Sequence, residues 1–321
     1  MQKHVLRAAL FLTVFVVLFS GLTILFIPKN NSSEAGIYDA HAKAFIAEPR
    51  NSMDVLFIGD SKAYCAFVPM QLWEKYGITS YVCATSNQPT YQSYAFAKRF
   101  FQYHTPRIVI LETSCLLKEY EFGDVAGHIA EEYFPYLRYH DRWKNLYLSD
   151  FTDKPDQTYL DTAKGYRATL EAEPADVTGY MTPSEEIRPI PQWSQWYVRL
   201  IRDFCEKNNA QLYLVSTAST VEFHYPLHNG IAQLAEKLNI PYVDTNLMQK
   251  AIPLDWDKDT YDIGYHLNYY GGCKTTDYIG SMLWETGLFS DKRTDSDYAQ
   301  WNVDLQKFME SILEGEEVLA E

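Results

Sequence analysis

The chain is poor in the residues that would signal several common functions. Its 321 residues include only five cysteines, Cys65, Cys83, Cys115, Cys205 and Cys273. None forms a CxxC pair or a zinc-like set, and their spacing is no disulfide framework, so buried free thiols are expected. The eight histidines are equally scattered. His224 and His228 stand four apart, but Pro226 between them argues against a helix that would aim both at one metal ion. No metal is expected. Lys and Arg number 28 against 42 Asp and Glu, a net charge of -14, with no basic cluster beyond the first seven residues. Phosphate binding needs such clusters, which argues against a nucleic-acid partner. No internal repeat is visible. Disorder is excluded for the bulk of the chain, since 47% of the residues are hydrophobic, enough for a sizeable core.

One long hydrophobic run is present. Lys3 and Arg7 precede Ala8–Ile27, twenty residues without a charge. At 1.5 Å per residue such a helix spans about 30 Å, the hydrocarbon thickness of a bilayer. Basic residues on its N-terminal side favour a cytoplasmic N-terminus and a domain outside. A cleaved signal peptide usually has a shorter apolar core of about 7–15 residues. The reading is therefore a single-pass protein of the cell membrane with an extracytoplasmic C-terminal domain. Residues 1–28 are the cytoplasmic tip and anchor, 29–52 a linker, 53–290 an α/β domain, and 291–321 a helical tail.

Within 53–290, short apolar strands alternate with helices. Met53–Ile58, Thr79–Cys83, Arg107–Leu111, Gln211–Ser216 and Pro241–Asp244 read as strands. Pro69–Tyr76, Tyr91–Tyr103, Gln192–Asn208, Asn229–Leu238 and Gly271–Thr286 read as helices, and Asp297–Glu314 as a helix in the tail. This rhythm implies parallel pairing with helices on both faces, a three-layer α/β/α sandwich. Residues of about 115–190 break it. They are rich in Tyr, Trp, His and Arg and read as a helical or irregular insertion over the sheet edge.

In a parallel sheet the reactive groups gather at the carboxyl ends of the strands. That rule singles out Ser61, the Ser86-Asn87-Gln88 stretch, Glu112–Ser114 and the loop after Asp244. Gly59-Asp60-Ser61 stands where the first strand ends. A lone strand-end Asp-Ser is an ordinary turn or cap. Here a second element accompanies it, Asp262-Ile263-Gly264-Tyr265-His266-Leu267-Asn268. A histidine with a nearby carboxylate is what a serine hydroxyl needs to lose its proton. Ser61 is thus the candidate nucleophile, His266 the base and Asp262 the orienting acid. Such chemistry requires no cofactor.

The chain resembles the SGNH/GDSL hydrolases, and in particular the membrane-anchored SGNH-like proteins of Gram-positive bacteria. The carriers are Phe57-Ile58-Gly59-Asp60-Ser61, Ser86-Asn87-Gln88-Pro89, Tyr139-His140-Asp141-Arg142-Trp143, Tyr242-Val243-Asp244-Thr245-Asn246 and His266-Leu267-Asn268 running on to Gly272. The resemblance covers nearly all of the exported domain. It implies an esterase or O-acyltransferase acting on acyl esters of surface polysaccharide, with a multi-spanning membrane acyltransferase as partner. The alternative is a catalytically silent, membrane-tethered glycan-binding or assembly protein.

Three departures from the family pattern accompany the resemblance. The acid Asp262 stands four residues before His266 rather than the usual three. A one-residue bulge could absorb this; otherwise Asp259 serves, or a dyad without an acid. The glycine usual after strand two is absent, and so is the asparagine usual after strand three, where the chain reads Glu112-Thr113-Ser114. Asn87, with Ser86 and Gln88, is then the expected source of oxyanion or substrate contacts. His140 and Arg142 are further candidates for substrate binding, since Tyr, Trp and Arg together bind sugars or acyl chains, and equally fill cores.

Overall fold

The computed structural model describes residues 2–320. Met1, in the expected cytoplasmic tip, and Glu321, the end of the expected tail, lie outside the described residues. The chain divides into two compact units, one of residues 1–40 and 120–159, the other of residues 41–119 and 160–321.

In the first unit a helix runs over Gln2–Phe26. It is long and apolar enough to cross a membrane, by length and composition. Its side chains are almost all exposed, and Phe11, Phe15 and Phe19 stack along one side. Phe19 and Phe26 meet the ring of Tyr136 edge-on at 5.5 and 5.2 Å. Arg142 donates to the Phe26 carbonyl at 2.8 Å, closing the last turn of the helix. The unit also holds helices over Phe122–Tyr133 and Pro135–Tyr139.

The second unit is built on a parallel sheet in the order β2-β1-β3-β4-β5. Its strands are β1 (Val55–Gly59), β2 (Ser80–Ala84), β3 (Ile108–Glu112), β4 (Gln211–Ser216) and β5 (Tyr242–Asp244). The first three are buried along their whole length, as expected of parallel strands covered on both faces. Val55 and Phe57 of β1 pack with Ile108 and Ile110 of β3 against Leu72, Ile279 and Leu283. The alternate residues Leu56 and Ile58 face the opposite layer. There the Thr90–Phe100 and Gln192–Lys207 helices lie against each other. The expected three-layer α/β/α sandwich is therefore the architecture of this unit, preceded in the chain by the apolar Gln2–Phe26 helix.

Four differences from the sequence reading are informative. Ala42, Ala44 and Phe45, inside the expected linker 29–52, are fully buried, and the Phe45 ring packs on Tyr81 and Phe100. Two elements near Ser61 and His266 were not foreseen, a six-residue helix over Ser61–Ala66 and an antiparallel pair, β6 (Thr260–Tyr261) with β7 (His266–Leu267). The helix read from Asn229 begins at Tyr225, because Pro226 sits in its first turn, where a missing N–H costs nothing. The tail helix extends over Ala299–Ala320 and buries Trp301, Phe308 and Ile312. Fully buried Lys164 binds it, pairing with Glu48 at 2.6 Å and Asp304 at 2.5 Å.

Candidate active site

Strand β1 delivers the candidate nucleophile. It ends at Gly59, where an added Cβ would stand 2.8 Å from Cβ of Glu112 and 2.9 Å from Cβ of Ala63. Only glycine lets β1 turn this tightly between β3 and the helix that follows. Asp60 then caps the Ser61–Ala66 helix, its Oδ1 accepting the Lys62 N–H at 3.1 Å. Ser61 opens that helix. Its N–H is among the first-turn groups that have no acceptor within the helix.

The candidate base arrives from the other end of the chain. His266 is the first residue of β7, paired with Tyr261 of β6. Its Nε2 lies 2.8 Å from Ser61 Oγ, and its Nδ1 lies 2.6 Å from Asp262 Oδ2. The other carboxylate oxygen, Oδ1, accepts the His266 backbone N–H at 2.9 Å. With Nδ1–H donating to the carboxylate, Nε2 is left as the acceptor for the serine proton. The three expected catalytic residues thus form one continuous hydrogen-bonded chain.

The four-residue spacing is absorbed by a left-handed turn. Asp262, Ile263 and Gly264 have φ of 49, 61 and 87°. Asp tolerates this region better than most residues. At Gly264 a Cβ would meet Thr220 Oγ1 at 2.4 Å, so glycine is required there. Asp259, the fallback acid, does other work. It is buried, pairs with Lys274 at 2.5 Å and accepts the Asp255 N–H at 2.6 Å, bracing the loop before β6. After β7, Asn268 caps the Tyr269–Glu285 helix and donates to the carbonyls of Lys258 and Glu171, which fixes the far side of the loop.

The pKa of His266 is pushed below the ordinary imidazole value. Burial is the main cause; the hydrogen bond to Asp262 opposes it, and the positive charge of Lys62 adds to it. The ring of Tyr261 stacks on the imidazole at 5.4 Å, and that of Tyr265 meets it at 4.7 Å.

Of the three expected loop contacts after β2, two are exposed and one is not. Ser86 and Asn87 are exposed, with Asn87 in a left-handed conformation at φ 52°. Asn87 Oδ1 accepts from Lys118 at 3.3 Å, and Lys118 also pairs with Asp60 at 3.3 Å. No acceptor among the described residues takes Asn87 Nδ2, which leaves it as a donor for a ligand. Ser86 Oγ contacts the Tyr64 hydroxyl at 3.1 Å. The reading of Gln88 as a contact residue is corrected. Gln88 is fully buried, and its amide is taken up by Thr85, Ser93 and the Cys83 carbonyl, so it shapes the loop from beneath.

The reading of Arg142 as a substrate contact is also corrected, while His140, which is exposed, stays an expectation. Both belong to the unit of residues 1–40 and 120–159. Arg142 is spent on the Phe26 carbonyl and on Asp150 at 2.7 Å. With Tyr38 and Tyr139 it lines a cavity of about 730 Å³ inside that unit. His140 Nδ1 contacts the Leu137 carbonyl at 2.7 Å, and Trp143 is exposed rather than packed in a core.

The structure gives contacts to residues that the sequence reading left without a role or passed over. Glu112, where an asparagine is usual, is fully buried and accepts from Ser114 N–H at 2.9 Å and Thr217 Oγ1 at 3.1 Å. It therefore braces the ends of β3 and β4. Ser114 Oγ lies between Glu112 Oε2 and Asp60 Oδ1. One hydroxyl proton cannot serve two carboxylates, and burial together with the Asp60 charge raises the Glu112 pKa. Lys62, directly after the nucleophile, is only 2% exposed. Its position beside Ser61 was the one available signal; Ser219 and Glu222, its partners, carry none in the sequence. His224 and His228 do not converge. The first caps its helix by accepting the Leu227 N–H, and the second lies 2.7 Å from Asp244. No cluster suited to a metal ion occurs among the described residues. The five thiols are unpaired; four are buried and Cys273 is partly exposed.

No family model matches the chain, and no curated protein matches it. Among solved structures the chain is similar to the psychrotrophic esterase EstA from Pseudoalteromonas sp., at 10% identity over 73% of this chain and 97% of that one, with a TM-score of 0.39. It is similar to the acetyl xylan esterase AlAXEase, at 14% identity over 72% and 100% of the two chains, with a TM-score of 0.39. A GDSL-like lipase from Bacteroides thetaiotaomicron is similar at 12% identity over 78% and 94%, with a TM-score of 0.36. The chemistry assigned to the site rests on the geometry of Ser61, His266 and Asp262.

Proposed function

We propose that the chain is a serine esterase or O-acyltransferase of the SGNH/GDSL type, acting on ester-linked acyl groups of cell-surface polysaccharide. The observation that carries this reading is the hydrogen-bonded chain from Ser61 Oγ through His266 to Asp262. Ser61 Oγ attacks the ester carbonyl while His266 Nε2 takes its proton. Asp262 holds the imidazole in the required tautomer and stabilises the imidazolium. The Ser61 N–H and Asn87 Nδ2 are the donors available to the oxyanion. His266 returns its proton to the leaving alcohol, which departs and leaves an acyl-serine. Water then releases the acyl group in hydrolysis, or a glycan hydroxyl takes it in transfer, with His266 again removing the proton of the attacking group.

Physiologically the reading is transfer. Acyl donors are made in the cytoplasm, whereas this site is assigned to the outside, and one apolar helix forms no path for the acyl group. A multi-spanning acyltransferase would hand it over, and the Gln2–Phe26 anchor would confine both proteins to the same thin layer. The full-length protein in detergent should hydrolyse p-nitrophenyl acetate and take a fluorophosphonate label at Ser61. Ser61→Ala should lose both while remaining folded. Absence of labelling would leave the silent glycan-binding reading in its place. In cells, deletion should lower ester-linked acyl groups on the polysaccharide; a rise would mean trimming by hydrolysis. The protein should also stay in the membrane on carbonate extraction, and a form in the medium lacking about the first 35 residues would instead mark a cleaved leader.

A further inference from the structure

A buried lysine directly after a catalytic serine is costly. An ammonium taken out of water loses several kcal/mol of hydration unless charge and hydrogen bonds replace it. Lys62 is 2% exposed, so its surroundings show what it is held for. Its Nζ donates to the backbone carbonyl of Tyr265, the residue before the base. It donates to Ser219 Oγ at 3.1 Å, and Ser219 Oγ in turn donates to the Gly264 carbonyl at 3.1 Å. The ammonium lies 3.9 Å from the centre of the Tyr265 ring and 3.3 Å from Glu222 Oε2. These contacts converge on the Gly264-Tyr265 segment, the only covalent link between the left-handed turn that carries Asp262 and the imidazole of His266.

We propose that Lys62 is a positioning residue, which locks the His266 loop to the nucleophile helix through the Tyr265 carbonyl and Ser219. This rests on the serine-hydrolase reading above. Neighbouring Asp262 and Ile263 have positive φ, and Ile263 is exposed, so the turn is held through Gly264, which packs on Thr220 and Ala175, and through the contacts of Tyr265. Lys62 and Ser61 are adjacent on one short helix. A clamp from Lys62 to Tyr265 therefore fixes the distance between Oγ and Nε2 from both sides. The remaining ring and charged groups facing His266 are Asp262, Asp60, Tyr261 and Tyr265. Against the two carboxylates of this set, Lys62 is the cation that disfavours a charged imidazole.

The test is the rate of fluorophosphonate labelling of the full-length protein in detergent as a function of pH. Lys62→Met with Glu222→Gln removes the clamp without leaving an unpaired buried carboxylate. Ser219→Ala removes one anchor and uncovers no charge. The double variant should label on the order of 10–100-fold more slowly, the range expected when a catalytic group is displaced by about 1 Å. Its acid limb should move to higher pH, because a cation beside His266 is gone. Ser219→Ala should label more slowly with its acid limb unmoved, and Lys62→Arg should return the acid limb towards that of the wild type. Wild-type rate and limb in the double variant overturn the proposal. If that variant does not fold, an unchanged rate in Ser219→Ala overturns it. A wild-type protein that takes no label at Ser61 refutes the serine-hydrolase reading instead, and does so independently of Lys62.

Discussion

Asp262→Asn separates the orienting role of the acid from everything else the residue does. The backbone at 262 is left-handed, with φ 49°, and Asn accepts that region as readily as Asp. The amide oxygen can still accept the His266 N–H, now at 2.9 Å. What remains to face His266 Nδ1 is then the amide Nδ2, a donor set where an acceptor stood at 2.6 Å. Nδ1 must become an acceptor, the ring proton moves to Nε2, and the nitrogen beside Ser61 Oγ can no longer take the serine proton. The same tautomer error in a serine protease triad lowers kcat by about 10⁴-fold. Here the Asp262 side chain is 38% exposed, so water competes for part of the role. The expected loss is about 10³–10⁴-fold in kcat, or about 4–5.5 kcal/mol of barrier. Steady-state hydrolysis of p-nitrophenyl acetate, with thermal unfolding as the folding control, measures it. A loss below about tenfold, or a larger loss from Asp259→Asn, refutes the assignment of the acid.

The pH dependence has a definite sign. Burial lowers the His266 pKa, and the reaction needs a neutral imidazole. The acid limb of kcat/KM should therefore lie below the ordinary value of about 6.5, with activity lost as pH falls through the lowered pKa. A midpoint at or above 6.5 contradicts the role of burial. Lys164→Met should destabilise the protein by about 3–5 kcal/mol, since Glu48 and Asp304 would remain buried without their cation. A shift in the urea midpoint read by tryptophan fluorescence checks this, and a variant as stable as the wild type rules out a stabilising role for the triad.

Periodicity and strand-end position were enough to read the five strands of the sheet and to single out the candidate nucleophile. Both depend on neighbours in sequence. Apolar runs such as Val55–Ile58 must be buried on both faces, and Gly59-Asp60-Ser61 follows the first of them. The candidate base was legible for a similar reason, since His266 and Asp262 lie within one loop. Placing them against Ser61 needed the tertiary structure, because 205 residues separate His266 from its partner and no local rule sets that distance. The same limit explains the errors. Gln88 looked like a contact residue from its neighbours, but whether a side chain points up from a loop or beneath it is decided by packing. Arg142 lies in an aromatic stretch with a plausible cleft composition, while its partners, Phe26 and Asp150, lie in its own unit. Lys62 was in plain view beside Ser61. Its burial, and the meeting of its ammonium with Ser219, Glu222 and Tyr265, arise only when the ends of β1 and β4 and the His266 loop are brought together. A buried charge can be kept only where the whole fold supplies its partners.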